Sequence, residues 1–469
     1  MSAVRPAAGF IVAAPESGAG KTTVTLALLA ALRRRGLRVA PFKIGPDFID
    51  PLFHARAAGV PSRTLDAWML GAEALEALFR AAARDADLAV IEGMMGLFDG
   101  VSGSSDQGST AAIAKRLDLP VVLVVDASAQ ARSVAALVSG FERFDPAVRV
   151  AGVIFNRVAG NGHYRILAEA MAGTCDSIAL GWLGMDPRWA IPERHLGLAT
   201  ERARLPAPLL ARLAAAAERT IDLDGLLALS GTRPGPRCPA IEPAPRAPRV
   251  ERVPDGAPLL AVARDEAFTF YYEDNLDALR REGIALGFFS PLRDARLPRG
   301  ARGVYLGGGY PELYARTLAA NRPMRAALRL FAEAGGVIYA ECGGLMALVE
   351  ELRLADGKRY PMACVLPGEI EMRPRPLAIG YAEITTRRET PLGPAGEKAR
   401  GHLFHASRIT RMRRSIERAY HVEGPGLASH EEGYARWNVL ASYVHLHFGS
   451  NPRLAANLAR RIREADVHA

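Results

Sequence analysis

The chain has 469 residues, 49% of them hydrophobic, enough for two or three cores but with no apolar run of bilayer-spanning length. Its net charge of +9 is carried by arginines scattered along the whole chain, with no aromatic-rich basic stripe; this argues against nucleic-acid binding and suits a polyanionic small molecule. Four scattered cysteines (Cys175, Cys238, Cys342, Cys364) without a C-x-x-C pair argue against zinc and a disulfide framework, and the absence of signal-peptide and membrane segments predicts a cytoplasmic protein with no membrane partner.

From Gly9 to about Ser230, short β-rich runs alternate with longer helical ones, the pattern of a parallel sheet covered on both faces. The apolar run Gly9 to Ala13 enters Ala14-Pro15-Glu16-Ser17-Gly18-Ala19-Gly20-Lys21-Thr22-Thr23, and the helical TVTLALLAALRRR follows. Glycines let backbone N–H groups close on a polyphosphate, Lys21 can reach its outer oxygens, and the Thr22 hydroxyl can ligate Mg²⁺. The helix start adds its partial positive charge to the same place. Ser17, Gly18, Gly20, Lys21, Thr22 and Thr23 are therefore the candidate ATP-binding residues. The strict phosphate-loop pattern would place glycine at Pro15, so the strand–loop–helix context carries the reading.

Further strands are expected at Arg38 to Lys43, Leu88 to Ile91, Val121 to Val125 and Val150 to Phe155. In a doubly wound sheet the ligand sits at the carboxyl ends of the strands, where acids can hold a metal–nucleotide complex. Asp47 and Asp50 follow the second strand, with Lys43 close by; Glu92 and Asp99 follow the third, and Asp126 ends the fourth. Asn156, after AGVIF, has an amide suited to adenine. The proline-dense segment 231–257 reads as an extended linker between a nucleotide domain (1–230) and a second α/β domain (258–469).

In that second domain, strands are expected at Leu286 to Phe289, Gly303 to Leu306 and Gly336 to Ala340. The last of these runs into Glu341-Cys342-Gly343-Gly344, the pattern of a strand–turn–helix elbow that would present Cys342 as a nucleophile, its thiol made more acidic by the helix start. The loop Gly307 to Glu312, through Gly308 and Gly309 together with the Gly343 N–H, could hold an oxyanion. SYVHLHF offers His445 and His447 on one strand face as a base. With His402 and His405 they could alternatively form a metal cluster. Arg373 and Arg375 are candidate contacts for an anionic substrate.

The segments SGAGKTT, FKIGPDFIDPLFH, IEGMMGLFDG, GVIFNRV, YLGGGYPE, ECGGLMAL, GHLFHAS and YVHLHF together resemble the cobyrinic acid a,c-diamide synthases, including the hydrogenobyrinic acid enzymes, along nearly the whole chain. The resemblance implies a dethiobiotin synthetase-like P-loop sheet followed by a class I glutamine amidotransferase-like α/β domain. It implies ATP- and glutamine-dependent amidation of two corrin side-chain carboxylates through acyl phosphates, with Mg²⁺ as cofactor. Thr22, Asp47, Glu92 and Asp99 would then stand on the metal side, Asp50 and Arg373 on the substrate side, Cys342 would be the glutaminase nucleophile and His445 its base. The usual glutaminase motif places glutamate two residues after the histidine; His447 stands there, which leaves the third triad role open. ATP, glutamine and a corrin polycarboxylate are the implied partners, and a homodimer is left open. Cobyric acid synthase and a nickel-sirohydrochlorin diamide synthase are the neighbouring readings, and a partitioning-type P-loop ATPase scaffold a remote one.

Overall fold

The computed structural model describes residues 8–189, 205–232, 256–375 and 377–466. The described residues fall into two compact units. The first takes 8–67, 71–189 and 205–232; the second takes Trp68–Leu70, 256–375 and 377–466. Most of the expected linker, 233–255, lies outside the described residues. Among the described residues no helix is long and apolar enough to cross a membrane.

The first unit is built on seven strands: β1 (Gly9–Ala13), β2 (Val39–Ile44), β3 (Arg63–Leu65), β4 (Leu88–Glu92), β5 (Val121–Asp126), β6 (Val150–Val158) and β7 (Ile178–Gly184). They run parallel in the order β3-β2-β4-β1-β5-β6-β7. Strands buried on both faces read as continuous apolar runs, which is why FIVA, LAVI and VVLVV were legible as strands. β3 is too short and too polar to show that pattern. Helix α1 (Lys21–Arg34) starts directly from the phosphate-type loop after β1, and α2 (Ile49–Ala58) follows β2. The register makes Val12 and Lys43 the neighbours of Glu92 on either side, so three strand ends converge at one carboxylate.

The second unit holds β8 (Leu259–Ala263), β9 (Ala285–Phe289), β10 (Ala301–Leu306), β11 (Val337–Glu341), β12 (Glu351–Arg353), β13 (Arg359–Pro361) and β14 (Gly368–Met372). It continues with β15 (Ala378–Thr386), β16 (Lys398–His405), β17 (Ser407–Met412), β18 (Glu417–Gly424), β19 (Leu427–Arg436), β20 (Val439–Ser442) and β21 (His445–Leu446). Ten of these form one sheet in the order β21-β16-β15-β18-β19-β20-β11-β10-β8-β9. The block β9-β8-β10-β11-β20 is parallel and the rest antiparallel. A side sheet, β13-β12-β14-β17, completes the unit. The parallel block carries the chemistry, because β10 and β11 lie side by side and end in the glycine loop and in Glu341-Cys342.

Candidate functional sites

In the first unit, Glu92 is fully buried and gathers the site around it. Its Oε1 accepts the Thr22 hydroxyl at 2.8 Å and the Lys43 ammonium at 3.0 Å, and its Oε2 accepts His54 Nε2 at 2.6 Å. Lys43 also reaches Asp50 at 3.0 Å and the Gly93 carbonyl at 2.9 Å. Burial opposes the charged form of Glu92, but Lys43 and His54 outweigh it and hold the carboxyl below its usual range. Burial opposes the Lys43 cation too, and Glu92 and Asp50 overcome it, raising its pKa. The outcome is an ionised buried network beside the start of α1.

The loop itself has the backbone its glycines permit. Gly20 sits at φ +99° as the residue before α1, where a Cβ would lie 2.0 Å from Asn156 Nδ2. Lys21 donates to the Glu16 carbonyl at 3.0 Å and to the Met95 carbonyl, so the loops after β1 and β4 share its ammonium. Burial, with Lys43 next, lowers the Lys21 pKa. One hydroxyl and one ionised carboxylate, Thr22 and Glu92, form a hard-oxygen pair of the kind Mg²⁺ takes together with phosphates and waters. Among the described residues no group of three His, Cys, Asp or Glu is arranged to hold a metal unaided.

In the second unit, Cys342 occupies a backbone conformation that a side-chain-bearing residue rarely adopts, φ +46° and ψ −99°, at the turn from β11 into the helix Gly343–Leu348. Such strain persists where surrounding structure over-determines it, and a nucleophile elbow is one such place. Its Sγ lies 3.7 Å from the Phe404 carbonyl and opens on a cleft of about 410 Å³ that continues into solvent. Gly343 is packed so tightly on the glycine loop that a Cβ there would stand 3.0 Å from the Gly309 nitrogen. His445 is fully buried, stacks on His402 with ring centres 5.0 Å apart, and has Nδ1 3.9 Å from Glu341 Oε2. Burial, with His402 and His405 adding to it, keeps the His445 imidazole neutral, far below its ordinary pKa. Glu341 also accepts the hydroxyls of Tyr339 at 2.6 Å and Tyr305 at 3.0 Å and the Leu446 N–H at 3.1 Å.

Residues 10–196 match the CobQ/CobB/MinD/ParA nucleotide binding domain, and residues 260–453 match the CobB/CobQ-like glutamine amidotransferase domain. The chain is 44% identical to the cobyrinate a,c-diamide synthase of Salmonella typhimurium, over 97% of this chain and 98% of the relative. It is 42% identical to that of Dehalococcoides mccartyi over 96% and 97%, and 43% identical to that of Syntrophotalea carbinolica over 95% and 96%. The chain belongs to the cobyrinate a,c-diamide synthase family. As a member of that family it is a glutamine-dependent amidating ligase of cobalamin biosynthesis, with a P-loop nucleotide-binding domain ahead of a glutamine amidotransferase domain.

Several residues singled out in this family member's sequence stand differently in the fold. The Asn156 amide donates to the Ala19 carbonyl at 2.9 Å and so props the phosphate-type loop. Arg157 braces the same loop through the Gly18 carbonyl at 3.0 Å and pairs with Asp126. Asp47 accepts the Ile49 N–H at 2.9 Å and Asp99 the Gly96 N–H at 2.8 Å, each shaping its own loop, while Asp50 is tied to Lys43. Gly308 donates its N–H to the Phe270 carbonyl at 3.2 Å, so this N–H is already engaged within the fold. What Gly308 provides is space: a Cβ there would stand 2.3 Å from His445 Cε1.

The strand around His445 ends at Leu446, so His447 does not share a strand face with His445. His447 accepts the Gly449 N–H at 3.0 Å and has Nε2 3.9 Å from Asp274, against the Tyr272 ring. Burial, with Glu312 next, pushes the Cys342 thiol up, opposite to the shift expected from the short helix behind it. His402 bonds Tyr272 at 2.8 Å and His405 bonds the Ser407 carbonyl at 2.7 Å, so each histidine of the supposed metal cluster has a partner of its own. Arg373 pairs with Glu371 at 3.4 Å, and Arg375 is exposed. Three contributors escaped the sequence reading: Glu341, Glu312 and His54. Only His54 had a signal, four residues after Asp50 and hence on the same face of α2.

Proposed function

We propose that the chain, acting in the cytoplasm, amidates the a and c side-chain carboxylates of a corrin, cobyrinate or hydrogenobyrinate, with ammonia drawn from glutamine and ATP as the activating substrate. A carboxylate is a poor electrophile until an oxygen becomes a leaving group. Transfer of the γ-phosphoryl group from ATP gives an acyl phosphate and ADP; ammonia then forms the amide and phosphate departs. The backbone of the loop 17–20 and Lys21 take the phosphates, and Thr22 and Glu92 would hold Mg²⁺, which when bound neutralises charge on the phosphoryl oxygens. Lys43 and His54 keep Glu92 ionised and in place, and Asp50 anchors Lys43. Asp47 and Asp99 hold the loops around that site, and Arg373, in the second unit, is read as a contact for a substrate carboxylate.

In the amidotransferase unit Cys342 attacks the glutamine amide. Its thiol keeps its proton until a base removes it, and the neutral imidazole of His445 is suited to that task and to protonating the departing ammonia. Glu341 is the positioning residue for His445, the part that glutamate two residues after the histidine plays in the usual motif. The Gly309 and Gly343 N–H groups face the developing oxyanion.

The observation that carries this reading is the 44% identity over 97% of the chain, which spans both sites. Its test is to supply cobalt-free and cobalt-loaded macrocycles with ATP and glutamine and count amides by mass spectrometry. Two amides per macrocycle are expected; none on either corrin would overturn the reading, and four would move it to cobyric acid synthase chemistry.

A further inference from the structure

The cleft in front of Cys342 contains more than the nucleophile requires. Phe270, Met346 and Phe404 give it apolar walls suited to the methylenes of a short amino-acid side chain. Into the same cleft the short helical turn Pro311–Tyr314 brings Glu312, half-buried, as the one carboxylate of the lining among the described residues. Among the described residues Glu312 makes no ion pair; its carboxyl accepts its own backbone N–H. His405, the one basic side chain of the lining among the described residues, is held neutral by burial and forms no ion pair with it.

We propose that Glu312 is the specificity residue of the glutamine site, taking the α-ammonium of free glutamine while the side-chain amide reaches Cys342. This rests on reading Cys342 as the glutaminase nucleophile. A free amino acid differs from a protein-bound glutamine or a simple amide by its charged α-amino group, and a carboxylate with no cationic partner in a cleft with apolar walls is the complement of that charge. Desolvation pushes the Glu312 carboxyl up to about 7, so an arriving ammonium gains a partner whose own charge is costly without it. Glu312 also pushes the Cys342 thiol up, and cancelling its charge with substrate removes that push only when glutamine is in place.

The test compares hydrolysis of glutamine with that of 5-amino-5-oxopentanoate, the same amide lacking the α-amino group, in wild type, Glu312→Gln and Glu312→Asp. Wild type should prefer glutamine by roughly 10- to 100-fold in kcat/KM, the scale of one charge-assisted hydrogen bond. E312Q should bring that ratio close to unity, chiefly by raising KM for glutamine, and E312D should restore part of it. A ratio in E312Q equal to that of wild type would overturn the assignment while leaving Cys342 as nucleophile. Absence of glutamine hydrolysis by wild type would sink the nucleophile reading and this inference with it. Thermal unfolding of each variant establishes that it is folded, and E312D carries the comparison if E312Q is not.

Discussion

Glu341 is a carboxylate taken wholly out of water, and burial pushes it up to about 7 despite the three donors it accepts. Its folded pKa lies above the unfolded value, so the folded state binds the extra proton between about pH 4.5 and 7 and stability falls as pH rises through that window. Above pH 7 the cost is roughly 3 kcal/mol. Replacing Glu341 with Gln should therefore raise the melting temperature relative to wild type more at pH 8 than at pH 5. The same change should lower glutaminase kcat by ~10²-fold or more, because His445 loses the group that orients it. A variant stabilised at pH 8 with unchanged turnover would remove Glu341 from the catalytic arrangement. Gly308 makes the complementary prediction. A valine there would push on His445, and displacing a base by about 1 Å costs ~10²-fold. Turnover of glutamine by Gly308→Val should show that loss with KM little changed.

At the scale of elements, the nucleotide unit depends on how β2, β4, α1 and α2 meet at Glu92. Lys43 and Glu92 are paired by strand register, and His54 and Asp50 reach the same carboxylate and ammonium from one face of α2. Removing one partner of a buried pair leaves the other charge uncompensated, at about 3–5 kcal/mol. Lys43→Met should lower the unfolding free energy of this unit by that amount in urea at pH 7. Glu92 is held below its unfolded pKa, so the stability it confers is present above about pH 4.5 and is lost as pH falls through its folded pKa. The deficit of Lys43→Met should accordingly shrink in acid, and a pH-independent deficit would assign the loss to packing alone. Glu92→Gln should raise the Mg²⁺ concentration required for diamide formation, since it removes the carboxylate that Thr22 bonds. An unchanged Mg²⁺ titration would make Glu92 purely structural.

For the whole molecule, two compact units divide two chemical problems, activation of a carboxylate and release of ammonia. Cys342→Ser should lose glutamine-dependent diamide formation and retain it with ammonium at high concentration and pH, because the sulfur is needed only to liberate ammonia. Lys21→Ala should lose diamide formation from either nitrogen source yet still hydrolyse glutamine, since its ammonium serves the phosphoryl site. Mass spectrometry of the macrocycle and glutamate release are the two readouts. If ammonium failed to rescue a folded, ATP-binding Cys342→Ser protein, the cysteine would belong to the amidation step itself.

What the sequence determined by itself is whatever is encoded locally. The phosphate-type loop and the Cys342 elbow are each one contiguous strand–turn–helix segment, and the runs FIVA, VVLVV and VIYA are apolar throughout because parallel strands are buried on both faces. Only the tertiary structure decided which distant side chains complete those sites. Glu341 meets His445 because β21 folds back along β16 near the end of β11, across a hundred residues of chain. Asn156 braces the loop at Ala19, and His447, which stands where the usual motif has glutamate, lies beside Asp274. Strand register sets such meetings, and a shift of one residue would turn each side chain to the opposite face, a difference that no local pattern of residues records.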